Sequence, residues 1–176
     1  LDIKFPRTTH LAALSKSIGR DDLVANERDA ARILSYANIT IEEKVDGGNV
    51  GISFRGPGQV MLQKRGHVIT PASEPQYAKL AHWLATRMDK LEQVLGTRYV
   101  LFGEWMAAQH SVAYDALPDL FLAFDVYDKE AQRFLARQER DAVCRACRAV
   151  TVRTVHSGPL PGGLAALKDM LAQTQS

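Results

Sequence analysis

Glu42–Gly51 reads EEKVDGGNVG. A stretch with β-branched residues at Ile39, Thr40, Ile41 and Val45 reads as a strand, and Gly47 with Gly48 breaks it. Val50, Ile52 and Phe54 then resume with alternation. Alternating apolar positions on both sides of a glycine pair predict two strands and a sharp corner. In the first strand, alternation sets Ile39, Ile41, Glu43 and Val45 on one face and Thr40, Glu42, Lys44 and Asp46 on the other. Lys44 thus ends a strand, just before a turn whose glycines let backbone approach a ligand closely. Taken alone, such a lysine is a solvated surface charge. It is also a candidate nucleophile, since an amine attacks when neutral, a state favoured by burial or nearby cations. Phosphoryl electrophiles suit it, because glycine-loop N–H groups stabilise phosphate charge.

Outward from this corner, a turn at Arg55–Gly58 leads to a third strand, Gln59–Arg65, and the three strands are expected to form an antiparallel meander. A helix is expected over Asp21–Tyr36, capped by Asp21 or Asp22. A long helix is expected from Pro75 to Leu95, with Gly96 just past its end. Strands follow at Arg98–Met106 and Leu120–Tyr127, joined by a loop around Ala113–Asp119. A helix over Lys129–Ala149, a short strand Thr151–His156 and a last helix Leu164–Ala172 complete the pattern. The fold class is α+β, an antiparallel sheet with flanking helices.

The chain has 176 residues, enough for one domain with at most a small appendage. The formal net charge of +2 does not demand a polyanionic partner, though it leaves room for a local basic surface. Lys4, Arg7, Lys16, Lys64 and Arg65 are candidates for such contacts. No apolar run approaches the ~18 residues of a membrane span. Cys144 and Cys147 form one C-x-x-C pair with no second pair, too few ligands for a structural zinc. They are expected to be packing thiols in a reducing compartment, the cytoplasm.

Three further segments bear on Lys44. Lys64-Arg65-Gly66 ends the third strand, where a guanidinium suits phosphate or carboxylate. Leu101–Trp105, LFGEW, sets Glu104 among apolar and aromatic residues, where it needs hydrogen-bond donors, such as a ribose hydroxyl. Phe121–Asp128, FLAFDVYD, has aromatic rings suited to stacking on a base.

The ordered series EKVDGGN, KRG, FGEW and FLAFDVYD resembles the lysine-adenylating nucleotidyltransferases, which comprise DNA ligases, RNA ligases and mRNA capping enzymes. Asn49 stands where DNA ligases and capping enzymes typically carry arginine, and it resembles RNA ligases of the bacteriophage T4 RNA ligase 2 type. The run FGEWMAAQHSV, with its Ala-x-His-Ser pattern, resembles the same group. The resemblance spans roughly residues 39–128. It implies a partial adenylyltransferase domain over the whole chain, with an ATP-grasp-like antiparallel sheet incomplete at the C-terminus. It implies that Lys44 takes AMP from ATP as a phosphoramidate, passes it to an RNA 5′-phosphate, and that a 3′-hydroxyl then seals the strand. Asp46 and Gly47 match the nucleophile motif. By the same resemblance Asn49 holds phosphates or the RNA end, Arg65 contacts the AMP phosphate or the RNA terminus, Glu104 binds the ribose, and Phe121 stacks on adenine, with Phe124 as its rival. Glu43 is a weaker candidate for adenine recognition. ATP and magnesium are the implied cofactors, RNA ends the partners, and RNA repair or processing the setting.

Two motifs of that family, a Glu-Gly pair and a Lys-x-Lys pair, have no counterpart after Asp128. The second supplies cations to the α-phosphate. The expectation is a fragment of a longer ligase with weak or no activity alone. The alternatives are a non-catalytic module that binds nucleotide or RNA ends, and a DNA ligase or capping guanylyltransferase, against which Asn49 argues.

Overall fold

The structure, a computed structural model, describes residues 3–13, 22–70, 72, 75–107 and 116–174. Its elements are α1 (Glu27–Leu34), β1 (Ile39–Glu42), β2 (Gly48–Phe54), β3 (Val60–Lys64), β4 (His67–Ile69), α2 (Ala78–Ala85), α3 (Met88–Leu95) and β5 (Tyr99–Trp105). They continue with β6 (Phe121–Asp128), β7 (Arg133–Phe134), α4 (Arg137–Ala146), β8 (Val150–Thr151), β9 (Thr154–Gly158) and α5 (Gly163–Thr174). Two compact units result, one of the chain up to Phe5 with Lys44–Val152, the other of Pro6–Glu43 with the chain from Arg153.

The first unit is built on a sheet ordered β4-β3-β2-β5-β6-β7, with β8 also paired to β6. All pairs are antiparallel except β6–β8. Alternation along the strands makes two unlike faces. Val50, Ile52, Phe54, Leu62, Leu101, Trp105, Phe121, Ala123 and Val126 form one core with Leu80, Trp83 and Leu84 of α2, Leu91 and Leu95 of α3 and Cys144 of α4. Burying each large side chain there contributes roughly 1.5–3 kcal/mol. The other face carries Asn49 and Gly51, opposed in register by Glu104 and Phe102, with Gln63 beside Gly51. The antiparallel α+β class agrees with the sequence reading.

Several elements differ from expectation, three of them in how the chain pairs or breaks. First, β1 does not join a meander with β2. It pairs antiparallel with β9, Ile39 opposite Gly158 and Ile41 opposite His156, in a separate two-stranded sheet. Val45 is buried with Met106, Leu122 and Val152, which fixes the connecting segment in the first unit after β1 has ended. Second, the long helix from Pro75 is a short 3-10 turn, Pro75–Tyr77, followed by α2 and α3. Thr86 Oγ1 and Arg87 Nη1 both donate to the Trp83 carbonyl, at 3.0 and 3.4 Å, so side chains end the ladder where periodicity alone continued it. Third, Lys129–Ala149 is a turn, β7 and α4. Asp128 makes the turn by accepting from the Glu130 and Ala131 backbone N–H groups at 3.0 and 3.1 Å.

Asp128 is buried and also accepts from Arg98 Nη2 at 2.6 Å. The Arg98 hydrogen bond, with the two backbone donors behind it, holds its carboxyl down at about 2. The stabilisation is present in full above the ordinary aspartate range near about 4 and is lost as pH falls through about 2. Chemical denaturation across that window is expected to show wild type losing stability more steeply than Asp128→Asn, which is less stable than wild type at neutral pH.

In the second unit, Leu34, Leu160 and Leu167 form a small core with Ile39, Ile41, Leu164 and Met170. Asn26 caps α1, its Oδ1 accepting from Asp29 N–H at 2.8 Å, in place of the expected Asp21 or Asp22. Asp21 lies outside the described residues. Among the described residues no helix is long and apolar enough to cross a membrane.

Candidate functional site

Lys44 lies past the end of β1, on the stretch that carries the chain to β2. It is exposed, while its neighbour Val45 is buried. Among the described residues its ammonium has no hydrogen bond or ion pair. Three residues on, Gly47 presses against the end of β5. A Cβ there would lie 2.7 Å from the Trp105 carbonyl oxygen and 2.9 Å from Glu104 Cγ, so only glycine fits. The close approach that glycine allows is made here to the neighbouring strand. Gly47 N–H donates to Glu104 Oε1 at 3.3 Å.

Register extends the contact. Asn49 stands directly opposite Glu104, on the same face. Asn49 Oδ1 accepts from the Arg65 backbone N–H at 3.4 Å. Arg65, just past β3, sits at φ +52°, a left-handed conformation that side chains rarely adopt. Its carbonyl accepts from Gln63 Nε2 at 3.2 Å, so side chains hold the Arg65 backbone from both sides. Hydrogen bonds and strand register therefore link Gly47, Glu104, Asn49 and Arg65 across β5, β2 and β3. Gly47, Asn49, Arg65 and Glu104 gather at one end of β2, and Lys44 and Asp46 lie on the stretch that leads into it. The exposed Arg65 guanidinium has no acidic partner among the described residues.

Other candidates fall elsewhere. Glu43 is exposed, belongs to the second unit, and donates its N–H to the Arg153 carbonyl at 2.9 Å. Lys64 turns to the helix-covered face, 5.9 Å over the Tyr77 ring. Lys16 and the Ala108–Ser111 stretch lie outside the described residues. Cys144 and Cys147 are free and buried, and burial pushes the Cys144 thiol up to about 12.

Phe121 is the main correction. It is fully buried on the helix side, its ring 5.1 Å from that of Trp83. A Cβ on Gly103 would lie 2.4 Å from Phe121 Cζ, so the ring fills the space above that glycine. A core ring so enclosed cannot stack on a nucleotide. Phe124, the rival, is half-buried on the opposite face, 5.2 Å from the ring of Phe5. A register shift in the β5–β6 pair, between Phe102 and Gly103, leaves Phe124 as the extra residue. The bare Gly103 one strand over was the signal that Phe121 belongs to the core. The sequence gives no sign of Phe5 as a neighbour of this face, because only the tertiary structure brings the N-terminal residues there, and none of Gln63, which shows as a site neighbour only through the pairing of β3 with β2.

The cation question follows from the donor set. Among the described residues no three His, Cys, Asp or Glu side chains are placed to hold a metal ion. The implied magnesium is therefore assigned no protein ligand, and no step is derived through it.

Comparison with known proteins decides the family. The sequence matches the RNA ligase family profile over residues 37–175. The chain belongs to the RNA ligase family. An archaeal ATP-dependent RNA ligase superposes with a TM-score of 0.60 at 23% identity, covering 78% of this chain and 36% of that protein. A mutant Naegleria gruberi RNA ligase with ATP and Mn gives 0.60 at 16% identity, covering 80% of this chain and 43% of the other. A putative ATP-dependent DNA ligase from Aquifex aeolicus gives 0.56 at 20%, covering 82% and 39%. These likenesses establish the ligase nucleotidyltransferase fold. This RNA ligase family chain spans less than half the length of those structures. No curated protein sequence matches it.

Gly47→Ala is expected to push Glu104 off the turn, because the two hardest contacts are a backbone carbonyl and the Glu104 stem. Overpacking of this kind costs about 1–3 kcal/mol. Thermal melts check the stability loss, and nucleotide labelling of the variant is expected to fall with it.

Proposed function

We propose that this RNA ligase family protein adenylates itself on Lys44 and passes the AMP to RNA. The neutral Lys44 amine attacks the α-phosphorus of ATP. A P–N bond forms, the bond to the β-phosphate oxygen breaks, pyrophosphate leaves, and the amine proton goes to solvent. An RNA 5′-phosphate oxygen then attacks the AMP phosphorus, the P–N bond breaks, and Lys44 regains its proton. A 3′-hydroxyl attacks the activated 5′-phosphorus, a phosphodiester forms, and AMP leaves.

The geometry supports the following roles. Glu104 steadies the turn after Lys44 through Gly47 and accepts from a ribose hydroxyl, since a carboxylate has several acceptor sites. Asn49 holds the Arg65 backbone, and the Arg65 guanidinium meets phosphate. Asp46 orients the turn. Phe124, on the Glu104 side, stacks the base in place of Phe121. The supporting observation is the linked run from Gly47 to Arg65, which joins a carboxylate, an amide and an arginine at the end of β2 that the Lys44 stretch leads into.

Labelled nucleotides test the reading on the full-length gene product. ATP labelled at the α-phosphate is expected to leave a covalent label, and ATP labelled at the γ-phosphate none. The label is expected to chase onto 5′-phosphorylated RNA in preference to DNA. Labelling from GTP would instead mark a capping-type enzyme, and preferential transfer to nicked DNA a DNA ligase.

A further inference from the structure

The N-terminal strap Ile3–Phe5 is tied to the site face of the first unit at both ends. Gln63 Nε2 donates to the Ile3 carbonyl at 2.7 Å, and Gln63 itself is fully buried. The Phe5 ring sits 5.1 Å from Phe102, 5.2 Å from Phe124 and 5.5 Å from Phe134. Between these anchors Lys4 runs its stem along Gly66, where a Cβ would lie 3.3 Å from Lys4 Cδ and 3.5 Å from Cε. Gly66 follows Arg65 directly. The Gln63 amide that fixes Ile3 also donates to the Arg65 carbonyl, so one buried side chain positions both cations. Lys4 and Arg65 are both exposed, and neither has an acidic partner among the described residues. Two cations carried on neighbouring stretches of backbone raise the local positive potential, which favours an anion there.

We propose that Lys4 is a second phosphate-binding cation of the site, acting beside Arg65, with Gln63 as the positioning residue for both. This rests on the adenylation reading for its ligand, a phosphate group, which arrives either on the nucleotide or on the RNA 5′ end. An ammonium contributes a point charge to phosphate, whereas the Arg65 guanidinium contributes a directional fork. Anchoring the strap at Ile3 and Phe5 lowers the entropy lost when Lys4 binds.

The test uses direct binding, so that it does not depend on chemistry. Lys4→Ala, Lys4→Arg and Gln63→Met are compared with wild type in the full-length gene product. The probes are ATP, inorganic tripolyphosphate, and one RNA oligonucleotide with either a 5′-phosphate or a 5′-hydroxyl. Lys4→Ala is expected to weaken binding of a phosphate ligand about tenfold, the scale of one charge-assisted contact, and to lower the salt dependence by roughly one ion. Lys4→Arg is expected to retain most of the affinity, and Gln63→Met to lose at least as much as Lys4→Ala. A loss for ATP and tripolyphosphate assigns Lys4 to the nucleotide phosphates. A loss confined to 5′-phosphorylated RNA assigns it to the RNA end. Unchanged affinity of Lys4→Ala for all of these probes overturns the proposal, even where labelling at Lys44 persists. Absence of that labelling would strike the adenylation reading and leave the binding comparison intact.

Discussion

Phe121→Ala is expected to cost about 3–5 kcal/mol of folding stability, the range for truncating a large core aromatic. The ring is fully buried, faces Trp83, and fills the space over Gly103. Removing it opens a cavity bounded by strand backbone that cannot collapse freely. Phe124→Ala is expected to cost less stability, because that ring is only half-buried. The two variants also separate packing from binding. Phe121→Leu, which keeps most of the volume, is expected to bind ATP as wild type does. Phe124→Leu is expected to bind it more weakly, since a flat ring is lost from the Glu104 side. Denaturant melts and equilibrium ATP titration measure the two effects independently. A folded Phe121→Leu protein with greatly weakened ATP binding would return the stacking role to Phe121.

Lys44→Arg in the full-length gene product is expected to lose covalent nucleotide labelling by on the order of 10⁴-fold or more, the scale seen when a nucleophile is removed. The substitution keeps the positive charge, so a loss through electrostatics alone is excluded by design. Its folding is expected to be unaffected, because Lys44 is exposed and makes no hydrogen bond or ion pair among the described residues. Equal thermal melts with unequal labelling are therefore the expected pair of results.

The comparison of sequence with structure teaches most at particular residues. Alternation along Val50–Phe54 set the correct face toward the core, because that signal is local. The ordered motifs name Asn49, Arg65 and Glu104, and the register of β2 with β5 and the Asn49–Arg65 hydrogen bond bring these three to one end of the sheet, while Lys44 lies on the stretch before β2. Pairing was less legible. The Ile39–Glu42 strand has the composition to pair with β2, yet its partner is β9, more than a hundred residues away. Nothing local in Ile39–Glu42 encodes that choice. The breaks after Trp83 and Asp128 were missed because side chains make them, Thr86 and Arg87 in one case and the Asp128 carboxylate in the other. Phe121 and Phe124 face opposite ways. Which one faced the core depended on Gly103 in the neighbouring strand, a relation that alternation within β6 does not contain. Lys4 reaches this face only through the folded strap, since Ile3 and its anchor Gln63 are sixty residues apart.

The central claim is that Lys44 carries the adenylate. The most direct measurement is mass spectrometry of peptides from the full-length gene product after incubation with ATP and a divalent cation, with alkaline handling to preserve the acid-labile P–N bond. The expected result is one AMP on the peptide that contains Lys44, lost on addition of 5′-phosphorylated RNA. An AMP on any other lysine, or a ligated product formed by a Lys44→Arg protein, would contradict it.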